Sequence, residues 1–187
     1  QHRRTVAEQI LVILDEGLKR GVDNLGELFE RQVVFLPQIM FGAKIFANAM
    51  DILRPHLAAG AETKTIGTFV IGTVQGDLHD LGKNIVSIML SVSGFQVIDI
   101  GVNVSTDAFL AAVRTHKPQI LGLSSLLTTT MLEQRNVIES LIEAGLRESV
   151  RVMVGGSPVS ERWAKKIGAD GYAGDATRAA AVAKSLL

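Results

Sequence analysis

One histidine of this chain stands between two aspartates in a short, glycine-bounded turn, Gly76-Asp77-Leu78-His79-Asp80-Leu81-Gly82-Lys83-Asn84. An apolar, β-rich run (Ile66 to Val74) leads into it and an apolar helical run (Ile85 to Val92) leaves it. A neutral imidazole binds a metal through one ring nitrogen, while a carboxylate on the other nitrogen fixes the tautomer and raises ligand basicity. Asp77, two residues before His79, is spaced to supply that carboxylate. A histidine in a loop is more often a solvated or capping residue. His2, His56 and His116 read that way, each in a polar or terminal setting without such a partner. A structural zinc site needs about four ligands, and this chain has no cysteine and no further cluster to complete one. One imidazole backed by one carboxylate suits a metal whose other positions a macrocycle already fills.

Two more segments carry polar groups of the right kind. Ser124-Ser125-Leu126-Leu127-Thr128-Thr129-Thr130 places five hydroxyls in a strand-to-helix turn. Capping the helix that begins near Met131 needs only one or two of them, which leaves others to bond a buried polar ligand. Gly155-Gly156 is either an ordinary turn or a place where a bulky group passes close to the backbone. Asp80 reads as the cap of the helix after the histidine turn.

The elements that must position these segments fall into two regimes. Residues 1–60 read as a helical domain. Val6, Ile10, Ile13, Leu14 and Leu18 recur at helical spacing, then Val22, Leu25, Leu28 and Phe29. A third run from Ile39 to Leu53 starts after Pro37 and is expected to stop at Arg54-Pro55. Because Gln1 rather than Met opens the chain, part of this domain is expected to precede it. Ala58–Thr63 is small and polar, a linker. Residues 61–187 alternate. Strand runs are expected at Ile66–Val74, Gln96–Gly101, Gln119–Ser124, Arg151–Gly155 and Gly171–Ala173. Helices are expected at Gly82–Val92, Thr106–Thr115, Met131–Ala144, Val159–Ile167 and Thr177–Leu187, with Gly94 and Gly145 as C-terminal caps. This predicts an α/β domain with a doubly wound five-stranded parallel sheet, flavodoxin-like or Rossmann-like, preceded by a small helical bundle. Ligands of such sheets bind outside the carboxyl ends of the strands, which is where all three segments fall.

Other uses of that edge fit poorly. Gly76 to Lys83 has five residues between its glycines instead of the four of a phosphate loop, and Asn84 stands where the Mg²⁺-binding hydroxyl is required. No GxGxxG follows the first strand. A phosphoacceptor receiver needs an acidic cluster and an aspartate after the third strand, where Leu123-Ser124-Ser125 stands. Nineteen basic and nineteen acidic residues cancel, so nothing suggests nucleic acid or an acidic membrane. No apolar run reaches the ~18–20 residues of a membrane span. The lack of cysteine and of a signal-peptide pattern fits the cytoplasm.

The segments 76–84, Gly122–Met131 (GLSSLLTTTM), Val154-Gly155-Gly156 and Tyr172-Ala173-Gly174-Asp175-Ala176, together with Phe35-Leu36-Pro37-Gln38, resemble cobalamin-binding modules over essentially the whole chain. The likeness is to the corrinoid proteins of anaerobic methyltransferase systems and to the cobalamin half of methionine synthase. It implies His79 as lower axial ligand of cobalt in place of the cofactor's own dimethylbenzimidazole, the base-off/His-on mode. Asp77 would bond His79, and Thr130 would back Asp77 where methionine synthase has serine. Ser124 and Thr128 would hold the displaced base. Gly76, Leu78, Asp80, Gly82, Leu126, Gly155, Gly156, Tyr172, Asp175 and Ala176 would line the cofactor. Phe29 and Leu36 would cap its methyl-bearing face, and Glu16 would touch a corrin side amide.

The resemblance further implies a methyl carrier that is itself non-catalytic, cycling between methylcobalamin and cob(I)alamin. Its partners would be a substrate-specific methyltransferase, a second methyltransferase serving tetrahydrofolate or coenzyme M, and a reductive activator of the corrinoid. No methyltransferase barrel of ~250 residues fits in 187. Two alternatives share the loop: the cobalamin subunit of an adenosylcobalamin-dependent mutase, and a cobalamin-sensing regulator module. The first is expected to lack the FLPQ segment, and the second to carry a DNA-binding or signalling domain.

Overall fold

The computed structural model describes residues 9–10, 12–57 and 65–187, and the chain divides into two compact units, Gln1–Lys64 and Thr65–Leu187. The expected linker at 58–63 and the start of the first helical run lie outside the described residues.

In the helical unit a π-helical segment, Ile13–Lys19, runs without a break into α1 (Arg20–Glu30). The two apolar stretches read from the sequence are therefore joined here. Lys19, Arg20 and Gly21 lie between them, and an interior glycine costs a helix about 1 kcal/mol without ending it. A turn with Gln32 at φ +58° leads to α2 (Leu36–Leu57). Gln38, at the third helical position, accepts the Phe35 N–H on its Oε1 at 3.0 Å, which is half of a capping box. This gives the Phe-Leu-Pro-Gln segment a local reason. Pro37 sits in the first turn as expected, but α2 does not stop at Pro55. It continues to Leu57, with Pro55 in its last turn, where the missing N–H removes only a terminal bond. A side chain at Gly42 would overlap Leu25, so α1 and α2 pack closely there.

The second unit holds β1 (Gly67–Thr73), β2 (Phe95–Asp99), β3 (Ile120–Ser124), β4 (Arg151–Gly155) and β5 (Gly171–Tyr172). They form one parallel sheet in the order β2-β1-β3-β4-β5. Between them run α3 (Leu81–Val92), α4 (Thr106–His116), α5 (Met131–Glu143) and α6 (Glu161–Ile167), with α7 (Ala176–Ser185) last. Element boundaries lie within about two residues of the sequence reading. Helix α6 starts later than expected because Ser160 caps it, accepting the Trp163 N–H at 3.2 Å. Gly94 and Gly145 do terminate α3 and α5, at φ +99° and +67°.

The apolar period of two in β1 sorts the core into halves. Phe69 and Ile71 pack with Leu90, Phe95, Ala179 and Ala183 under α3 and α7. Val70 and Val74 pack with Phe109, Leu121, Val137 and Leu141 under α4 and α5. Strand order reverses between β1 and β3, so the loops leaving these two strands diverge to opposite faces and open a crevice.

A buried amide sets the spacing of the next pair of strand ends. Gln134 of α5 is 0% exposed. Its Nε2 donates to the Leu123 carbonyl at 2.9 Å and the Gly155 carbonyl at 3.1 Å, while its Oε1 accepts the Trp163 indole N–H at 3.1 Å. Gln134→Leu leaves the Trp163 indole N–H without this acceptor and takes a donor from two strand-end carbonyls, and is expected to cost about 1–3 kcal/mol in urea unfolding of the protein without cofactor. A loss under about 0.5 kcal/mol would show that water replaces the amide there.

Candidate cofactor-binding site

The β1–α3 loop presents Asp77 and His79 in opposite ways. Asp77 is 0% exposed, whereas the His79 side chain is 52% exposed. Asp77 Oδ1 accepts the backbone N–H of His79 at 3.1 Å and lies 2.7 Å from His79 Nδ1. Asp77 Oδ2 accepts the Leu126 N–H at 2.7 Å, the Leu127 N–H at 3.3 Å and the Thr130 hydroxyl at 2.8 Å. One carboxylate thus collects five donors from two loops of the crevice. Burial by itself would raise its pKa. The bonds from the His79 backbone and imidazole, then from Leu126 and Thr130, outweigh that and hold the carboxyl well below the ordinary carboxylate range. An ionised carboxylate can only accept, so the imidazole proton sits on Nδ1 and the Nε2 lone pair is left for a ligand.

Neighbouring residues hold the loop in place. Thr73, buried at the end of β1, donates its hydroxyl to the His79 carbonyl at 2.9 Å. Asn103, at φ +52° after β2, accepts the Gly76 N–H on Oδ1 at 2.8 Å and donates its own N–H to the Asp77 carbonyl at 2.9 Å. Gly76 takes φ +80°, a left-handed conformation that favours glycine. Lys83, almost fully buried, pairs with Asp99 at the end of β2 and bonds Asn84 at 3.1 Å. Thr73, Asn103 and Lys83 were not among the residues expected from the sequence. Thr73 reaches a carbonyl in the loop that follows its own strand, while Asn103 and Lys83 reach partners on another loop or strand.

The cap expected of Asp80 is absent. Asp80 occupies the N-cap position of α3 without a side-chain bond to it. Thr130 occupies that of α5, and its hydroxyl goes to Asp77 and the Leu127 carbonyl instead of the helix. The hydroxyl cluster therefore splits into two sets. Ser125 and Thr130 are buried and bonded to one another at 2.9 Å, while half-buried Ser124 and exposed Thr128 stand outside this network.

The glycine pair also has a reason the sequence left open. Gly156 is at φ +123°, and a Cβ there would overlap the Ser125 carbonyl. The close approach at Gly156 is made by the chain itself. Gly155 ends β4 opposite Ser124, with the Ala173 carbonyl 3.6 Å from where its Cβ would stand. Asp175 caps α7, accepting the Arg178 N–H at 2.8 Å, ahead of Ala176, the first residue of that helix. Tyr172 is half-buried in β5.

Leu78, Leu81, Val102, Leu126 and Leu127 are all exposed on loops or the first helical turn at this edge, Leu78 by 71%. Such apolar exposure on loops around one imidazole suits a large, partly apolar ligand. Among the described residues no group of three or more His, Cys, Asp or Glu could hold a bare metal ion. A single imidazole donor therefore fits a metal carried in a macrocycle. Phe29, Leu36 and Glu16 lie in the helical unit. Phe29 is half-buried and Glu16 exposed, and the Leu36 side chain is outside the described residues. No helix among the described residues is long and apolar enough to cross a membrane.

Comparison with known proteins agrees with this geometry. Residues 67–183 match the B12 binding domain family, and residues 3–54 match a second B12 binding domain family. Dimethylamine corrinoid protein 2 of Methanosarcina acetivorans is 49% identical over 175 residues, 94% of this chain and 81% of the relative. A cobalamin-binding protein from Desulfitobacterium hafniense has a crystal structure that aligns with TM-score 0.80 at 31% identity, covering 97% of this chain and 84% of that one. The methanol:cobalamin methyltransferase complex MtaBC from Methanosarcina barkeri contains a chain that aligns with TM-score 0.84 at 30% identity, covering 96% of this chain and 68% of that one. The chain belongs to the B12-binding family, and its cofactor is a corrinoid, cobalamin.

Because folding depresses the Asp77 pKa, its ionised form contributes stability above the ordinary value of 3.8, and that contribution is lost as pH falls below it. In the protein without cofactor, Asp77→Asn is expected to cost about 1–3 kcal/mol at pH 7. The gap should hold steady down to about pH 4 and begin to narrow below the ordinary value of 3.8, as urea titrations move from pH 5 to pH 3. A gap independent of pH would remove the charge from the account.

Proposed function

We propose that this B12-binding protein is a corrinoid methyl carrier that holds cobalamin base-off/His-on. It would take a methyl group from a substrate-specific methyltransferase and deliver it to a second methyltransferase serving tetrahydrofolate or coenzyme M. The observation that carries this reading is the His79–Asp77 pair: an exposed imidazole whose Nδ1–H is held at 2.7 Å by a buried, five-fold bonded carboxylate. A bound corrinoid supplies a cobalt centre able to accept and release a methyl group.

The chain's own residues hold and tune that centre. His79 offers Nε2 as the lower axial ligand. Asp77 keeps the tautomer fixed and holds the Nδ1 proton, and Thr130 shares the Asp77 charge. Ser124 and Thr128, outside the Asp77 network, are available to bond the displaced base. Gly76, Leu78, Asp80, Gly82, Leu126, Gly155, Gly156, Tyr172, Asp175 and Ala176 line the bound cofactor. Asp175 does so with the part of its carboxylate that capping leaves over, and Leu78 and Leu126 present apolar contact.

The partner assignments draw on relatives. A corrinoid protein named for dimethylamine at 49% identity supports a methylamine methyltransferase on the donor side. The similarity to a chain of a methanol:cobalamin methyltransferase complex supports direct docking to such an enzyme. A reductive activator of the corrinoid completes the proposed set of partners.

Reconstitution with methylcobalamin followed by visible spectroscopy tests the binding mode. Wild type is expected to give a His-on spectrum and His79→Ala a base-off spectrum without nitrogen ligation, both with cofactor retained after gel filtration. Identical spectra would remove His79 from cobalt. Isolation of the protein with a 5′-deoxyadenosyl ligand would turn the reading toward a mutase subunit.

A further inference from the structure

Ser125 is the one fully buried hydroxyl of the β3–α5 loop that the methyl-carrier reading leaves without a role. It is 0% exposed. Its Oγ lies 2.9 Å from Thr130 Oγ1 and 3.2 Å from the Leu127 carbonyl. Thr130 in turn reaches Asp77 Oδ2 at 2.8 Å and the same Leu127 carbonyl at 3.1 Å.

Counting protons decides what this arrangement can do. Thr130 has one hydroxyl proton and two acceptors within reach, the Asp77 carboxylate and the Leu127 carbonyl. The Leu127 carbonyl already receives the Met131 N–H at 3.0 Å, so it needs neither hydroxyl. Ser125 has no carboxylate of its own, and its proton goes to Leu127 or to Thr130 Oγ1. In either case it favours the arrangement in which Thr130 donates to Asp77. Donation into Thr130 Oγ1 also polarises the Thr130 O–H and strengthens its bond to the carboxylate by roughly a tenth to a third.

We propose that Ser125 is a positioning residue that extends the His79–Asp77–Thr130 chain to a fourth member and, through Thr130, draws carboxylate charge away from His79. This rests on the proposed axial role of His79. Five donors share the Asp77 charge, so weakening the Thr130 bond leaves more of that charge for the imidazole N–H. A more electron-rich imidazole binds cobalt more tightly. Ser125 would therefore loosen the hold of His79 on the metal of a bound corrinoid. The Ser125 backbone is separately occupied, its N–H bonded to the Gly155 carbonyl at 3.1 Å and its carbonyl packed on Gly156. A change confined to the hydroxyl leaves those contacts in place.

The test is a spectroelectrochemical titration of the cob(II)alamin/cob(I)alamin couple in the reconstituted protein at one fixed pH, with wild type, Ser125→Ala, Thr130→Val and the double variant. A tenth to a third of a charge-assisted hydrogen bond alters the His-on equilibrium by about two- to fourfold. Ser125→Ala is expected to lower the midpoint by that ratio, about 20–35 mV at 59 mV per tenfold for one electron. In the Thr130→Val background the same change is expected to have no effect, because the path to Asp77 is already cut. An unchanged midpoint in Ser125→Ala would overturn the inference while the wild-type His-on signal left the methyl-carrier reading intact. An equal shift in both backgrounds would overturn it as well, by tracing the effect to packing against the Gly156 loop. A wild type without His ligation would remove both claims together.

Discussion

The buried carboxylate of Asp77 is the constraint around which this protein is arranged. A lone charge at full burial is strongly unfavourable unless donors surround it. Here the donors come from its own loop, from the first two peptides of the loop after β3 and from the residue that opens α5. The β1 and β3 loops diverge at the reversal of strand order, and the carboxylate ties them together across the crevice. Nothing else in the described residues bonds these loops from one atom group. The same interaction sets the imidazole tautomer, so the fold and the chemistry of the site rest on one residue.

This arrangement gives the site a protein-facing side and a ligand-facing side. Asp77, Ser125 and Thr130 are closed off in hydrogen bonds, and Thr73 and Asn103 clamp the backbone of the loop from beneath. His79, Leu78, Leu126 and Leu127 are left exposed on the outer side. The tightest backbone approach, Gly156 on the Ser125 carbonyl, locks the β3 and β4 loops to one another. Gln134 fixes the strand ends beneath them. A ligand that needs only one coordinate bond but a long apolar and polar border is accommodated by such an edge.

Much of this was legible in the sequence because it rests on local rules. Alternating strand and helix periods gave the parallel sheet, and β4 fell at its expected residues because Arg151–Gly155 is bounded by turn signals. Asp77 and His79 were legible as a pair because two residues of loop bring them within reach. The errors arose where tertiary partners outbid local ones. Asp80 looks like a cap but leaves its helix to backbone bonds. Pro55 reads as a stop, yet a proline in a last turn removes too little to end α2. Thr73, Asn103, Lys83 and Gln134 could not be found by pattern, since each acts through a partner on another strand or loop. Gly155-Gly156 was legible as unusual, but that a neighbouring carbonyl fills the space at Gly156 depends on the register of two strands.

The central claim is that a protein imidazole, and not the cofactor's own base, takes the lower axial position on cobalt. Electron paramagnetic resonance of the cob(II)alamin form, with protein labelled by ¹⁵N-histidine and unlabelled cofactor, tests it most directly. Ligation by His79 is expected to turn the three-line nitrogen splitting of unlabelled protein into a two-line splitting. A three-line pattern that survives labelling would place the cofactor's own base on cobalt and contradict the account.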